Sequence, residues 1–157
     1  MELSTSVSIR KATVDDIAIL ALHRWSMEAE RREVVLPFEE YLVAYTAEVR
    51  PELEAGRFHA WIAFSDGQAA ASCALIVLVL PPNFTSLSRR RGIVSAVYTV
   101  PAFRRQGIAR LLMQTLLQFA DDAAMQRLVL WASESGRPLY EQLGFAPSRA
   151  LERNLPE

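Results

Sequence analysis

The chain is poor in the residues that build staples and metal centres. It has one cysteine, Cys73, and two histidines, His23 and His59, which leaves no partner for an intramolecular disulfide and no usual zinc-ligand spacing. Lysine is nearly absent: Lys11 is the single one, and arginine supplies every other basic side chain. Neither charge sign is in surplus. Seventeen basic against eighteen acidic residues give a formal net charge of -1, which argues against a nucleic-acid partner, whose binding rests on excess Lys and Arg. No apolar run reaches the length of a membrane span, and the opening MELSTSVSIRK lacks the basic-then-apolar order of a signal peptide. The expected location is therefore the cytoplasm, with no membrane partner. Repeats, low-complexity stretches and Pro- or Gly-rich linkers are also missing. What is present, 51% hydrophobic and 22% charged residues in 157, is the balance of a globular chain. It predicts one domain over residues 1–157, with a core large enough to stand without disulfide or metal.

Periodicity gives the order of elements. Ser6 to Arg10 alternate as a short strand. Thr13 with Asp16 three positions on is a capping signature, opening a helix through Ile17, Leu20 and Trp25 towards Glu30. A second helix is expected over Phe38 to Leu53, with Glu39 and Glu40 at its positive end and Gly56 after it. Asp66-Gly67 between Phe58–Phe64 and Gln68–Leu80 reads as a hairpin turn. The second of those runs is too apolar for a one-sided strand and is expected at the centre of a sheet. Pro81-Pro82-Asn83 ends it, an arginine-bearing loop follows to Arg91, and Ile93 to Val100 forms a third long strand. Ile108, Leu111, Leu112, Thr115, Leu116 and Phe119 lie on one helix face. Arg127 to Trp131 reads as a buried strand. Ser135 to Pro138 opens a short helix that Gly144 closes, and Phe145 onward is a final strand. The sum is a mixed α/β layer fold.

The chemistry is concentrated in Tyr98-Thr-Val-Pro-Ala-Phe-Arg-Arg-Gln-Gly-Ile-Ala-Arg110. A strand ends, a short basic loop follows, and a long helix starts near Gly107. Backbone N–H groups at such a start converge where the helix dipole is positive, which makes a site for an anion such as a phosphate. Gly107 and the small Ala109 keep side chains out of the way, and Arg104, Arg105 and Arg110 add charge. The plain alternative is an ordinary strand-to-helix connection with solvated arginines. No Gly-Lys-Ser/Thr follows and no GxGxxG is present, which takes weight from kinases, NTPases and dinucleotide enzymes.

Val100-Pro101-Ala102-Phe103-Arg104-Arg105-Gln106-Gly107-Ile108-Ala109 resembles the acyl-CoA loop of the GNAT superfamily of N-acetyltransferases. The family's Gln/Arg-x-x-Gly-x-Gly/Ala falls on Arg104, Gly107 and Ala109. Downstream, Leu139-Tyr140-Glu141-Gln142-Leu143-Gly144-Phe145 resembles its second signature. The resemblance runs from about Ile93 to Phe145; before residue 90 it lies only in the order of elements. It implies a GNAT-like β-α-α-β-β-β-α-β-α-β three-layer fold, an α+β mixed sheet of roughly seven strands with a splayed central strand pair. It implies acetyl-CoA as acyl donor, its pyrophosphate on the N–H groups of the loop and its pantetheine arm in the gap between the strands Ile93–Val100 and Arg127–Ala132. The arm would pair with the backbone of Tyr98 and Val100. Phosphate contacts would come from Arg105, Gln106, Gly107, Ile108, Ala109 and Arg110. The family often has Asn and, three residues on, Ala where this chain has Ser133 and Gly136; Ser133 keeps a hydrogen-bonding side chain for cofactor or substrate.

The activity implied is direct attack of an amine on the thioester carbonyl, without a covalent enzyme intermediate. Cys73 lies in the most apolar run and is expected to be a buried hydrophobe, and His23 and His59 lie outside both motifs. Tyr140 is the candidate acid for the departing thiolate, against the alternative of an aromatic that only packs. Glu28, Glu30 and Glu134 are candidate bases, beside a chain of waters and carbonyls, and the oxyanion is expected at a backbone N–H near Thr99. Trp25, Met27, Glu28, Asn83 and Phe84 are expected pocket walls; a carboxylate beside aromatics would suit a cationic amine. The leading function is N-acetylation of a small-molecule amine. The alternatives are acetylation of a protein amino terminus or lysine, a non-catalytic acyl-CoA sensor and a phosphate-binding regulatory module. Homodimers are common in the family, so a homodimer is an expectation too.

Overall fold

The computed structural model describes residues 6–87 and 89–156. Its strands β1 (Val7–Lys11), β2 (Phe58–Ser65), β3 (Gln68–Leu80), β4 (Arg89–Thr99) and β5 (Arg127–Val129) form one sheet in the order β1-β2-β3-β4-β5. The first four are antiparallel neighbours, and β5 joins β4 in parallel. The helices are α1 (Ile17–Ala29), α2 (Phe38–Glu54), α3 (Ile108–Asp122) and α4 (Arg137–Gln142).

Thr13 and Asp16 form the expected capping box, here around a 3-10 turn over Val14–Asp16 that leads into α1. The buried Asp16 carboxylate also accepts from Arg10 Nη1 and Nη2 at 2.7 and 2.8 Å and from the Thr13 N–H at 2.8 Å. These donors hold its carboxyl well below the usual range, at about 2, and fix the start of α1 to β1. The hairpin turns at Asp66 and Gly67, both left-handed, as the paired Asp-Gly requires.

β3 is central, and over residues 70–75 it is covered on both faces, whereas Leu78 and Val79 towards its far end are exposed. Trp61, Cys73, Leu75, Leu112, Met113 and Leu116 pack on the α3 side; Leu20, Ala60, Ile62 and Ala74 pack on the α1 and α2 side. The strand period of two sends neighbours to opposite layers, which is why Trp61 and Ile62 belong to different clusters. Within α3 the fully buried Ile108, Leu112 and Leu116 form a single stripe, with Met113 buried beside it.

Three expectations differ from the structure. The arginines of Arg89–Arg91 are not loop: they extend β4, opposite Leu80, Val79 and Leu78. Their alternating side chains reach solvent while the backbone ladder continues. β5 is three residues long, stops at Val129 rather than Trp131, and is not the buried strand expected: Arg127 and Trp131 are exposed and the residues between them half-buried. The final strand from Phe145 is absent, so the sheet has five strands among the described residues, not about seven. Phe145 instead donates its N–H to the Tyr140 carbonyl at 3.0 Å, closing α4, and its ring packs on Tyr140. Pro147 then removes a ladder donor two residues later.

Candidate active site

The site begins with a fault in the sheet. Ser95 pairs with Ala74 and Tyr98 with Ser72, so Ala96 and Val97 together oppose Cys73. Ala96 takes φ +51°, the left-handed conformation of a β-bulge. Pairing between β4 and β5 covers only Arg91–Ile93 against Arg127–Val129. Beyond that point the strands part, and a cavity of about 910 Å³ opens between them. Its walls come from α1, the bulged end of β4, residues 103–110 and α4.

At one end lies the start of α3. Arg105 and Gly107 have φ +61° and +78°, which turns the loop so that the helix begins abruptly at Ile108. A Cβ on Gly107 would meet nothing within 4 Å, so the glycine borders open space rather than packed protein. The first α3 ring closes from the Leu111 N–H to the Gly107 carbonyl, leaving the N–H groups of Ile108, Ala109 and Arg110 without intrahelical acceptors. They face the same end as the positive helix dipole. The Arg110 guanidinium reaches the Gln142 side chain, tying α3 to α4.

Arg104 does something different. Its Nη2 holds both oxygens of Glu30, at 2.6 and 2.8 Å, and its Nε donates to the Thr99 carbonyl at 2.9 Å. The Tyr98 hydroxyl donates to the same Glu30 at 3.1 Å. This cluster joins the loop to the end of α1. At the floor stands Tyr140, half-buried, with its phenol pushed up chiefly by burial, so it keeps its proton at neutral pH. A Cβ on Gly136 would sit 3.1 Å from Tyr140 Cε2 and 3.1 Å from Ser133 Oγ, so glycine is what lets the ring lie there. Ser133 accepts the Gly136 N–H at its Oγ and the Arg137 N–H at its carbonyl, fixing the approach to α4.

The acetyltransferase (GNAT) family model matches residues 19–145. The chain belongs to the GNAT acetyltransferase family. Among curated proteins, a glucosamine 6-phosphate N-acetyltransferase of Trypanosoma brucei brucei is 32% identical over 78 residues, a match spanning 50% of this chain and 51% of the relative. A predicted acetyltransferase of Clostridium acetobutylicum, solved with acetyl-CoA, superposes with a TM-score of 0.83 at 28% identity over 95% of this chain and 96% of that one. A GCN5-related N-acetyltransferase of Ralstonia eutropha JMP134 gives 0.83 at 25% identity, covering 96% and 99%.

Within this GNAT chain, Tyr98, Thr99, Arg105, Gly107, Ile108, Ala109, Arg110, Ser133 and Tyr140 all line the cavity. Val100 and Gln106 do not. The Val100 N–H is bonded to the Ala70 carbonyl and its own carbonyl accepts from Phe103, both at 2.9 Å. Strand alternation then turns the Tyr98 backbone towards β3 as well and the Thr99 backbone towards the gap. Gln106 folds back to the Ala102 carbonyl. Trp25 and Glu28 lie off the cavity: the Trp25 indole donates to the Leu36 carbonyl and meets Phe38 edge-to-face, and Glu28 pairs with Arg32. Phe84 is fully exposed, in a turn held by the Asn83 side chain. Glu134 is exposed, outside the cavity lining.

Cys73 is buried and its thiol is pushed up to about 12, so it stays protonated and inert. Burial pushes the pKa of His23 and His59 down; His23 bonds Ser72 and His59 packs on Phe119. Arg24, Arg31 and Ser95 line the cavity and carry no motif signal. Their signal is the spacing Arg24, Met27, Arg31, one helical stripe on the side of α1 that turns to β4.

Proposed function

We propose that this chain moves the acetyl group of acetyl-CoA to the amine of a small molecule, by direct attack within a ternary complex. The observation that carries the reading is the meeting, in one cavity, of the free N–H groups at the start of α3 with the protonated phenol of Tyr140. The Ile108, Ala109 and Arg110 N–H groups would take the pyrophosphate, with the Arg105 and Arg110 side chains adding charge. The gap-facing backbone of Thr99 would meet the pantetheine arm and the oxyanion. The Clostridium relative solved with acetyl-CoA supports the donor, and the trypanosomal relative's amino-sugar phosphate supports a small acceptor.

The amine nitrogen forms its bond to the acetyl carbon, the carbon–sulfur bond breaks, the sulfur leaves with a proton from Tyr140, and the proton the nitrogen sheds on becoming an amide returns through water to the Tyr140 phenolate. The amine must first lose its own proton. Glu30 is engaged by Arg104 and Tyr98, so water and backbone carbonyls of the open cavity are the route assigned to that proton.

The test is the melting temperature with acetyl-CoA, with ATP and NAD as controls, followed by free-thiol release with a series of amines. A rise with acetyl-CoA alone, and amine-dependent thiol release, is the expected result. No rise removes the donor assignment, and a rise without thiol release from any amine leaves a sensor instead of an enzyme.

A further inference from the structure

The charges around the α1 end of the cavity point to a particular acceptor. Arg24, Met27 and Arg31 form the stripe that faces it, and the Arg24 Nη1 donates to Ser95 Oγ at 2.9 Å beside the bulge of β4. Arg31 has no carboxylate partner among the described residues, and its charge reaches Tyr140. Glu30 is the one carboxylate among the described residues lining the cavity, and Arg104 neutralises it, its Nη2 meeting both oxygens. Among the described residues, then, two guanidiniums line this end of the cavity without an ion-pair partner, Arg24 being held only by hydroxyls, those of Ser95 and Tyr41. Glu28, which the sequence offered for a cationic amine, lies off the cavity with Arg32.

We infer that the acceptor is a small amine that also carries an anionic group, a carboxylate or a phosphate monoester, and that Arg31 and Arg24 receive that group. This rests on the acetyltransferase reading above and deepens it. A guanidinium offers a planar fork of donors that matches either anion, and an anion there fixes the amine at a set distance from it, beside Tyr140. A bare polyamine meets like charge at the same place and is disfavoured.

The experiment uses matched acceptors at saturating acetyl-CoA: ethanolamine against glycine, β-alanine and phosphoethanolamine, glucosamine against glucosamine 6-phosphate, and spermidine. Thiol release is expected to favour at least one anionic class over its neutral parent by about tenfold or more in kcat/KM. The carboxylate and phosphate arms tell the two sources apart. Arg31→Gln is expected to bring that preference to about threefold or less, with Arg31→Lys restoring part of it, while acetyl-CoA affinity stays within about twofold. Equal or better use of the neutral amines or spermidine overturns the inference. So does an Arg31→Gln preference that persists, or a loss of acetyl-CoA affinity instead, which would place Arg31 on the donor's phosphates. Failure of the acetyltransferase reading is separate: it shows as no thermal shift with acetyl-CoA, before any acceptor is added. A shift without thiol release from any of these amines also overturns the inference.

Discussion

At the α3 end of the cavity the groups free to bind a ligand are main-chain N–H donors from one short stretch, Ile108 to Arg110. At the α1 end they are side chains drawn from distant parts of the chain, with Arg24 reaching Ser95 across 71 residues of sequence. The first wall needs a left-handed glycine, an abrupt helix start and little else, so most substitutions around it leave the donors in place. The second is set by which face of α1 turns inward. Rotation of a helix by one residue, about 100°, replaces Arg24 and Arg31 with Trp25 and Arg32. On the proposed reading, the backbone wall holds the donor's phosphates and the side-chain wall sets which acceptor is taken.

The largest effect should come from breaking the backbone wall. Gly107→Glu puts a carboxylate where the cavity is open and forces a side chain onto φ +78°. Acetyl-CoA affinity by calorimetry is expected to fall at least about 100-fold, about 3 kcal/mol, as charge-assisted N–H contacts are lost to repulsion. Gly107→Ala carries only the backbone strain, about 1–2 kcal/mol, and should fall between the two. If both bind like the parent, the start of α3 is not the donor site.

Tyr140→Phe comes next and separates chemistry from binding. Removal of a general acid is expected to lower kcat by about 100-fold. The ring still packs against Gly136 and Phe145, so acetyl-CoA affinity should hold within about twofold. An unchanged kcat would make Tyr140 a packing residue.

Local signals are legible because each is complete within a few residues: the Thr13/Asp16 box, the Asp66-Gly67 turn, the Gly107 helix start. The bulge at Ala96 had no such signal, since alanine does not advertise a left-handed backbone. Arg89 to Arg91 looked like loop because charge usually marks solvent, yet a hydrogen-bonded ladder asks only for extended backbone. The strand expected from Phe145 failed because that residue was already engaged in ending α4. The α1 wall is only partly legible in the sequence: Met27 is expected there and lines the cavity, while Trp25 and Glu28 are expected and lie off it. Trp25 and Glu28 were chosen for their chemistry, whereas burial of Leu20 and His23 sets the rotation and brings Arg24, Met27 and Arg31 to the cavity.

A third change tests how the side-chain wall is anchored. Asp16→Asn removes the carboxylate that ties α1 to Arg10 and Thr13. Its folded pKa, at about 2, lies below that of an unfolded aspartate, so its contribution is complete above about pH 4 and is lost as pH falls towards 2. Half of the Arg10 side chain is exposed, so screening reduces the contribution to about 1–2 kcal/mol. Urea melts at neutral pH should show the variant less stable by that amount, with the two proteins converging near pH 2. Acetyl-CoA affinity should not move, because the loop lies on the other wall. A gap that stays constant from pH 7 to 2 would assign the loss to the cap geometry rather than to the charge.

The smallest effect is expected where the two walls touch. Glu30→Gln dissolves the contact with Arg104 and weakens the acceptor for the Tyr98 hydroxyl. Both partners are exposed, so stability should change by less than about 1 kcal/mol. Two consequences follow from the lost negative charge. The Tyr98 phenol, raised first by burial and then by Glu30 and lowered by Arg104, should titrate lower in a spectroscopic titration. The Arg104 guanidinium, no longer neutralised beside the loop, should draw an anionic donor closer, tightening acetyl-CoA binding by about two- to threefold at low salt and less as salt rises. Weaker binding would reverse the assignment: the Glu30–Arg104 contact would then be what holds the loop in shape, and the backbone wall would depend on α1 rather than stand alone.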